Sequence, residues 1–277
     1  MRSVLLIDVP YDCGQFGKRM GAGPGYLIER GLAQSLRAAG YPVRLASVRL
    51  PDTFHTEWQA LSVLQEQIAA LVQQTRASGE RALILSGNCA PAALGVLSAG
   101  ASADTAVLWL DAHADFNTPE TSPSGFLDGM ALAIAVGHCW RACATRFRTN
   151  PVPEDHVVQV GVRSVDDGEG QRLERSRVHR SAADVHDITR TLDVLSGRLH
   201  HAYVHVDLDV IDASELRANQ YALNGGPSVE SVAAIIAAAG RRVPVDAAAL
   251  TALDPSIDSD RAWMIGRQLA LTIASCP

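Results

Sequence analysis

Short apolar runs alternate with longer segments of helical spacing along almost the whole chain, and this alternation limits the possible folds most strongly. The runs lie at residues 4–9, 43–48, 82–85, 106–110, 156–162, 202–206 and 247–253. Each run is too short for a helix and is bounded by turn residues, which predicts buried strands. Strands that alternate with helices predict a three-layer α/β fold, in which a central, mostly parallel sheet lies between two layers of helices.

The segments with helical spacing lie at residues 26–39, 57–77, 91–99, 129–137, 183–195, 229–239 and 261–274. No internal repeat, low-complexity tract or linker-like stretch interrupts the sequence pattern. We therefore expect a single domain over residues 1–277. In folds of this class ligands bind beyond the carboxyl ends of the strands, so polar residues at those positions are the first candidates for a functional site.

The composition argues against several classes of partner. No run reaches the roughly 18 consecutive apolar residues of a transmembrane helix, and the run at 4–7 is cut short by Asp8 and Pro10, which favours a strand over a signal peptide. The 30 acidic residues outnumber the 24 basic ones, and no basic run is present, so we expect no nucleic acid or membrane partner. The 5 scattered cysteines are typical of reduced thiols, and we expect a cytoplasmic protein.

The predicted strand at 106–110 runs into a segment with three potential metal ligands at alternate positions, Asp111, His113 and Asp115. Alternate side chains of an extended chain point to the same side, so we expect these three on one face.

Two further strand ends carry groups of the same kind. Residues 202–206 lead to Asp207 and Asp209, with Asp212 shortly after, and residues 82–85 lead to Cys89. Buried carboxylates repel one another and lose their hydration, so their convergence at one edge of a sheet predicts bound cations. The alternative for any single Asp is that it caps the next helix.

Carboxylates with one imidazole suit Mn²⁺, with Zn²⁺ or Fe²⁺ as alternatives and Ca²⁺ less suitable. Two bridging carboxylates would hold a pair of ions about 3.5–4 Å apart, the spacing that activates a water for hydrolysis. The strand ends therefore indicate a metal-dependent hydrolase.

At this point the motifs resemble those of a known family. Residues 111–115 and 207–212 are similar to the two signature motifs of the ureohydrolases, which include arginase, agmatinase and formiminoglutamase. Residues 21–24 resemble the family's N-terminal glycine-rich turn, and residues 162–166 resemble its central substrate loop. The resemblance implies an arginase-like α/β fold, a dinuclear manganese centre and hydrolysis of a guanidino or amidino carbon.

The resemblance also implies a ligand set. One ion would be held by Asp111, His113, Asp207 and Asp209, with Asp111 and Asp207 bridging to a second ion. Asp115 and Cys89 would complete the second site, but the family has histidine where this chain has Cys89. A thiolate is softer than imidazole and suits Mn²⁺ less well, so we expect a weaker second ion. The alternative is that Cys89 is only a small buried apolar side chain.

Substrate contacts carry over in the same way. Asn117 and Ser124 match positions that bind the α-carboxylate of an amino acid, and Asp166 and Glu169 match positions that receive its α-amino group. Their joint presence favours an arginine-like substrate over agmatine, which lacks the carboxylate. Each of these polar residues would otherwise be read as a turn former. The resemblance further suggests a homo-oligomer, a trimer or a hexamer.

Two departures from the family concern the mechanism. Asp128 stands where arginases have a proton-shuttling histidine, and Ala252 stands where they have a glutamate that pairs with the guanidinium. A guanidinium without its anionic partner binds poorly in a buried site. An N-hydroxyguanidine is less basic and binds largely neutral, so we expect Nω-hydroxy-L-arginine as substrate, with Asp128 assisting proton transfer.

Other interpretations of the sequence stay open at this stage. In the first alternative, the protein is an arginase, agmatinase or guanidinobutyrase with relaxed ligands. In the second, it is a degenerate ureohydrolase that serves as a non-catalytic binding subunit. His205, two residues before Asp207, is either a contact of the metal ligands or a packed core residue, and we favour the core. His138, Cys139 and Cys143 are too few for a zinc site, and we favour packing at a helix end.

Overall fold

The computed structural model describes residues 1–50, 53–100, 102–141 and 151–277. Its strands are β1 Val4–Val9, β2 Tyr11–Asp12, β3 Gln15–Phe16, β4 Val43–Ser47, β5 Arg81–Ser86, β6 Thr105–Leu110, β7 Val157–Val160, β8 His179–Ser181, β9 His201–Asp207 and β10 Val245–Thr251. Eight of them form one sheet in the order β4-β1-β5-β10-β9-β6-β7-β8, and every pairing in it is parallel. Strands β2 and β3 form a separate antiparallel hairpin.

Helices cover both faces of this sheet, which confirms the predicted three-layer α/β fold. The α-helices are α1 Gly23–Glu29, α2 Leu32–Ala38, α3 Glu57–Ser78, α4 Cys89–Ser98, α5 Ala131–Ala135, α6 Asp167–Arg175, α7 Val185–Ser196, α8 Val229–Gly240 and α9 Ser259–Ser275. Short 3₁₀ helices lie at Arg19–Ala22, Ser102–Asp104, Asp128–Met130, Glu154–His156 and Leu208–Val210.

The core consists of two apolar layers, one on each face of the sheet. Residues from α1, α2, α7, α8 and α9 pack on one face, and residues from α3 to α6 pack on the other. Successive strand residues alternate between the layers: Leu6 belongs to the first, whereas Leu5 and Ile7 belong to the second. Because both faces are covered, the central strands β1, β5, β10, β9 and β6 are buried at almost every position, whereas β4 and β8 at the two edges of the sheet are largely exposed.

The sequence-based boundaries differ from the structure in a few places. The helix expected at 26–39 is two helices, because the chain turns at Gly31, whose φ of 96° lies in the left-handed region that favours glycine. The helix expected at 129–137 is a 3₁₀ turn followed by the short α5. Strand β8 and helix α6 were not predicted, since the exposed β8 and the polar α6 show little apolar pattern.

The arrangement of strands sets the position of the functional site. Because all strands of the main sheet run in one direction, their carboxyl ends meet at a single edge. Strands β5, β10, β9 and β6 are neighbours, and each is followed by a residue singled out by the sequence. Among the described residues, no helix is long and apolar enough to cross a membrane.

Candidate metal centre and substrate cavity

A cavity of about 340 Å³ opens at the carboxyl edge of the sheet, within the usual size range of small-molecule sites. Its lining includes the residues to which the sequence assigned a site role, with the exception of Asp212: Cys89, Asp111, His113, Asp115, Asn117, Ser124, Asp128, Asp166, Glu169, Asp207, Asp209 and Ala252. The structure therefore brings together side chains that lie far apart in the sequence.

Cys89 reaches this cavity because the turn after β5 is tight. A Cβ atom on Gly87 would lie 2.3 Å from the carbonyl oxygen of Tyr11 and 2.6 Å from the backbone nitrogen of Gly21, so only glycine fits. Helix α4 then begins at Cys89 itself, two residues earlier than expected. The Cys89 side chain is buried, with 2 % of its surface exposed.

Two groups of potential ligands share Asp111. In the His113 group, which we define as Asp111, His113 and Asp209, one ligand atom of each residue lies within 4.8 Å of the others. The same holds for the Cys89 group, which we define as Cys89, Asp111 and Asp115. A carboxylate common to two groups is what a pair of bridged ions requires.

The His113 group contains its own compensating charge. The Nδ1 atom of His113 lies 3.5 Å from Asp111 Oδ1 and 3.3 Å from Asp209 Oδ2. Burial opposes protonation of His113, but these two carboxylates outweigh it and raise the His113 pKa to about 12. Burial likewise opposes ionisation of Asp209, yet the hydrogen bond from His113 lowers the Asp209 pKa overall.

The Cys89 group contains no side chain that carries a positive charge. Burial, followed by the repulsion of neighbouring carboxylates, raises the pKa of the Cys89 thiol and of Asp115. Asp115 has a φ of 50°, so the expected extended alternation over 111–115 is wrong, and the chain turns Asp115 toward Cys89 instead. The Oδ2 atom of Asp115 is buried and has no hydrogen-bond partner among the described residues.

Asp207 lies between the two groups. Its Oδ2 atom is 3.2 Å from Cys89 Sγ, and its Oδ1 atom accepts a hydrogen bond of 2.9 Å from the backbone N–H of Asp209. Burial and the nearby Asp209 and Asp111 raise the Asp207 pKa. This position is compatible with the bridging role predicted for Asp207, which stays a prediction.

The donor set fits divalent cations. Buried carboxylates with raised pKa values and an unpartnered oxygen on Asp115 are the environment that a cation relieves. The His113 group offers oxygen and imidazole ligands, which suit Mn²⁺, whereas the Cys89 group adds a sulfur that suits softer ions.

Asp128 caps the helix that carries Cys89. Its Oδ2 accepts a hydrogen bond of 3.1 Å from the N–H of Cys89, and its Oδ1 accepts one of 2.8 Å from the N–H of Ala90. Burial raises the Asp128 pKa to about 7, although these two hydrogen bonds act in the opposite direction. A carboxyl group with this pKa both accepts and releases a proton near neutral pH.

The predicted amino-acid contacts lie together on another part of the cavity wall. The Asn117 amide donates a hydrogen bond of 2.9 Å to Asp166 Oδ2, and Ser124 lines the same cavity from an exposed loop. Both oxygens of Glu169 accept backbone hydrogen bonds, from Phe116 and from Asp166. Glu169 thereby completes a capping box at the start of α6 and holds Asp166 in place.

The cavity wall beside Ala252 carries two uncharged side chains, those of Ala252 and Asn219, and we call this pair the neutral wall. Ala252 is 3 % exposed and has a φ of 60°. Its carbonyl oxygen accepts a hydrogen bond of 2.9 Å from the Asn219 amide, which also donates 3.2 Å to Asp209 Oδ2. Sequence reasoning missed Asn219, because it lies in a loop without a recognisable motif.

Two aromatic side chains at the cavity mouth were also missed. Tyr221 lies edge-on to His113, with 6.3 Å between ring centroids, and its ring is 6.2 Å from that of Phe126. The available sequence signal was the presence of an aromatic residue in each of two polar loops, since loops often carry binding residues.

Asp212 does not join the metal ligands, and the expectation that it converges with them is wrong. Its carboxylate accepts hydrogen bonds from the Ser214 side chain and from the backbone N–H groups of Ser214, Gly225 and Gly226, which lower its pKa to about 2. Asp212 thus organises the loop that carries Asn219 and Tyr221.

The remaining histidines have other partners. His205 is fully buried, stacks on Trp109 at 3.9 Å and bonds to the Tyr203 hydroxyl at 2.8 Å, so it is a packed core residue as favoured. Burial lowers the His205 pKa to about 3. His138 pairs with Glu154 at 2.7 Å, whereas Cys143 lies outside the described residues.

The comparison with known proteins agrees with this geometry. A sequence profile of the arginase family matches residues 2–276. The chain is 30% identical to the hepatic arginase of Aquarana catesbeiana over 251 residues, which cover 81% of this chain and 76% of the relative. It is 29% identical to the arginase of Bacillus caldovelox over 237 residues, which cover 78% of each.

Solved structures share the fold. The arginase of Bacillus subtilis superimposes with a TM-score of 0.87 at 24% identity, over 99% of both chains. The arginase of Entamoeba histolytica, solved in complex with L-ornithine, gives 0.88 at 21% identity, also over 99% of both. The architecture is that of the ureohydrolases. This chain belongs to the arginase family.

Proposed function

We propose that this protein hydrolyses Nω-hydroxy-L-arginine to L-ornithine and hydroxyurea. The observation that carries the proposal is the neutral wall formed by Ala252 and Asn219. An arginine guanidinium placed there would lose hydration without gaining an anionic partner, a loss of about 3–5 kcal/mol for a buried charge. A hydroxyguanidine binds largely uncharged and avoids that loss.

The other end of the cavity supports an amino-acid substrate. Asn117 and Asp166 are held together by their hydrogen bond, and Ser124 adds a hydroxyl nearby on the lining. We assign Asn117 and Ser124 to the α-carboxylate and Asp166 to the α-amino group. Glu169 is assigned to the same end, where its contacts with Phe116 and Asp166 fix the position of the loop.

The arginase family is a family of binuclear manganese enzymes, and we infer Mn²⁺ here as well. The His113 group and Asp207 would hold one ion, and the Cys89 group would hold the other more weakly. When bound, the ions would supply a nucleophilic water and would stabilise the negative charge that develops on the heteroatoms attached to the attacked carbon.

Asp128 supplies proton transfer in the proposed reaction. Hydrolysis adds water across the bond between the guanidino carbon and the Nδ atom of the ornithine part, and the leaving nitrogen gains a proton. Asp128 lines the cavity, and its pKa of about 7 lets it hold that proton on one carboxyl oxygen and pass it to the amine. Its hydrogen bonds to Cys89 and Ala90 fix its orientation.

We further infer a role in D-cycloserine biosynthesis. The combination of Cys89, Asp128 and Ala252 resembles the Nω-hydroxy-L-arginine amidinohydrolase of that pathway, which yields hydroxyurea. Deleting the gene in a producing organism should stop antibiotic formation, and added hydroxyurea should restore it. Failure of hydroxyurea to restore production would contradict the assigned pathway.

The single domain over residues 1–277 and the trimeric or hexameric state remain predictions. Light scattering would measure the oligomeric state.

Hydrolysis of plain L-arginine is the second candidate, since the relatives reported above are arginases. Steady-state kinetics with L-arginine, agmatine and Nω-hydroxy-L-arginine distinguish the two. We expect at least about a 100-fold higher kcat/KM for the hydroxylated substrate, given that 1.36 kcal/mol corresponds to a tenfold change. A preference for plain arginine overturns the proposal, and inactivity on all three with Mn²⁺ present favours a non-catalytic binding subunit.

The variant A252E tests the reason for this preference. It places a carboxylate on the neutral wall, and we expect kcat/KM for L-arginine to rise about 10- to 100-fold. The matched control A252Q adds the same bulk without charge and should leave L-arginine a poor substrate. Equal behaviour of A252E and A252Q would show that charge at this wall does not set the preference.

A further inference from the structure

Arg163 makes an unusual set of contacts next to the metal-ligand cluster. Its guanidinium nitrogens lie 2.9–3.4 Å from six backbone carbonyl oxygens, those of Gly161, Asp209, Val210, Ile211, Leu223 and Asn224. None of these partners is a carboxylate. The planar guanidinium carries five N–H donors in fixed directions, so each backbone segment it contacts is held in one orientation.

These carbonyls belong to segments with separate roles at the site. The turn over residues 209–211 carries Asp209, a member of the His113 group. Residues 223–224 follow Tyr221, whose ring lies edge-on to His113 with 6.3 Å between the centroids. The Arg163 side chain therefore connects the predicted ligand Asp209 to the loop that carries Tyr221.

The backbone of Arg163 reaches the other half of the same group. The N–H groups of Arg163 and Ser164 each donate 2.9 Å to the carbonyl oxygen of Ala112, and Ser164 pairs with His113 in a parallel bridge. Arg163 thus contacts the chain on both sides of the His113 group, through its backbone on one side and its side chain on the other.

The space around the guanidinium is closely fitted. A Cβ atom on Gly226 would lie 2.8 Å from an Arg163 guanidinium nitrogen and 2.5 Å from the carbonyl oxygen of Val210. Only glycine at position 226 allows the loop to approach Arg163 in this way, so the contact depends on both Arg163 and Gly226.

We propose that Arg163 is a positioning residue that holds Asp209 against His113 and thereby sets the affinity of the ion bound by the His113 group. The proposal rests on the metal centre of the proposed function. Groups that orient metal ligands through hydrogen bonds typically contribute about 10- to 100-fold to metal affinity.

Arg81 provides a matched control elsewhere in the sheet. It is fully buried, and its guanidinium also donates only to carbonyls, those of Val245, Ile273, Ala274, Cys276 and Pro277. It lies at the start of β5, at the edge opposite the cavity. Substitution of Arg81 therefore disturbs an equivalent network without touching the site.

The experiment compares R163K and R163Q with R81K by titrating metal-free protein with Mn²⁺ and following thermal unfolding. We expect R163Q to weaken one ion by about 10- to 100-fold, R163K to weaken it less, and R81K to lower thermal stability with unchanged Mn²⁺ affinity. An R163Q protein that binds Mn²⁺ like the unsubstituted protein overturns the proposal. So does equal weakening of both ions, which a general loss of structure would cause.

A double-substitution cycle assigns the affected ion. In an H113N background, R163Q should weaken Mn²⁺ binding no further, whereas in a C89A background it should have its full effect. A full additional loss in H113N overturns the assignment to the His113 group. If the unsubstituted protein binds no Mn²⁺, the metal centre fails together with the Arg163 role, whereas an R163Q protein with unchanged affinity rejects the Arg163 role alone.

Discussion

The His113 group and the Cys89 group share Asp111, yet they solve the same electrostatic problem in opposite ways. In the His113 group an imidazole lies between two carboxylates, and Asn219 adds a hydrogen bond to Asp209. In the Cys89 group a thiol faces carboxylates with raised pKa values, and one Asp115 oxygen has no partner among the described residues. The first group is compensated by the protein, whereas the second depends on what it binds.

Cysteine at position 89, where the family has histidine, changes only one of the two groups of predicted ligands. A thiol at position 89 must lose its proton to bind a metal, and its surroundings raise the energy of the thiolate. The cation must therefore overcome both deprotonation and the mismatch between sulfur and Mn²⁺.

Removal of Asp111, the ligand that both groups share, should abolish the difference between the two groups. In D111N both groups lose their common carboxylate, and we expect both ions to be lost and kcat to fall by at least about a thousandfold, since metal activation contributes several kcal/mol. Metal analysis and steady-state kinetics measure this. D184N is the control, because Asp184 caps α7 at the backbone N–H groups of His186 and Asp187 and does not line the cavity. Retention of one tightly bound ion in D111N would contradict the assignment of Asp111 to both groups.

The metal-free protein should lose stability as pH rises. Asp128 has its pKa raised from 3.8 to about 7, so its contribution is complete below pH 3.8 and is lost as pH rises through 7. The pKa of His113 is raised from 6.5 to about 12, so His113 also makes the folded protein less stable as pH rises above 6.5. The lowered pKa of Asp209 has no effect on stability between pH 5 and 8. Between pH 5 and 8 we expect Asp128 to lower the free energy of unfolding by roughly 2–3 kcal/mol and His113 to lower it by roughly 2 kcal/mol more.

Urea unfolding in the presence of a chelator measures this pH dependence. Added Mn²⁺ should restore stability at pH 8, because cations replace the missing protons. D128N should flatten the part of the curve between pH 5 and 7. A metal-free protein that becomes more stable from pH 5 to 8 would show that the carboxyl cluster does not hold these protons.

Cys89 is the residue that distinguishes the second group from the first. C89H replaces the thiol with imidazole, and we expect the weaker ion to bind about tenfold more tightly while the ion of the His113 group is unchanged. Calorimetric titration with Mn²⁺ measures the two affinities. C89S, which keeps the size but not the imidazole, is the control. Unchanged binding in C89H would place Cys89 outside the metal site.

Much of the fold was predictable because both faces of the sheet are covered. β1 was expected at 4–9 and is Val4–Val9, and α3 was expected at 57–77 and is Glu57–Ser78. In such strands nearly every residue is apolar, which gives a clear signal. The break at Gly31 and the exposed β8 depend on contacts between distant segments, which no local pattern encodes.

The site was predictable where a motif carried it. The positions of Asp111, Asp115 and Asp209 at one cavity follow from parallel strands that end at one edge. Asp212 shares the motif but turns to its own loop, because its carboxylate satisfies nearby backbone N–H groups. Asn219 can be recognised as a site residue only from the folded loop, in which its amide donates a hydrogen bond to the carbonyl oxygen of Ala252.

The origin of the ligands on separate strands has a consequence for folding. Cys89 and Asp207 are 118 residues apart in sequence and lie within 3.2 Å only after β5, β10 and β9 have paired. An unfolded chain therefore offers no assembled site, and the cations bind only to the finished sheet. By mass action, ion concentrations about 100 times the dissociation constant would add about 2.7 kcal/mol to folding stability. Metal supply during growth should then control how much native protein accumulates, independently of how much is synthesised.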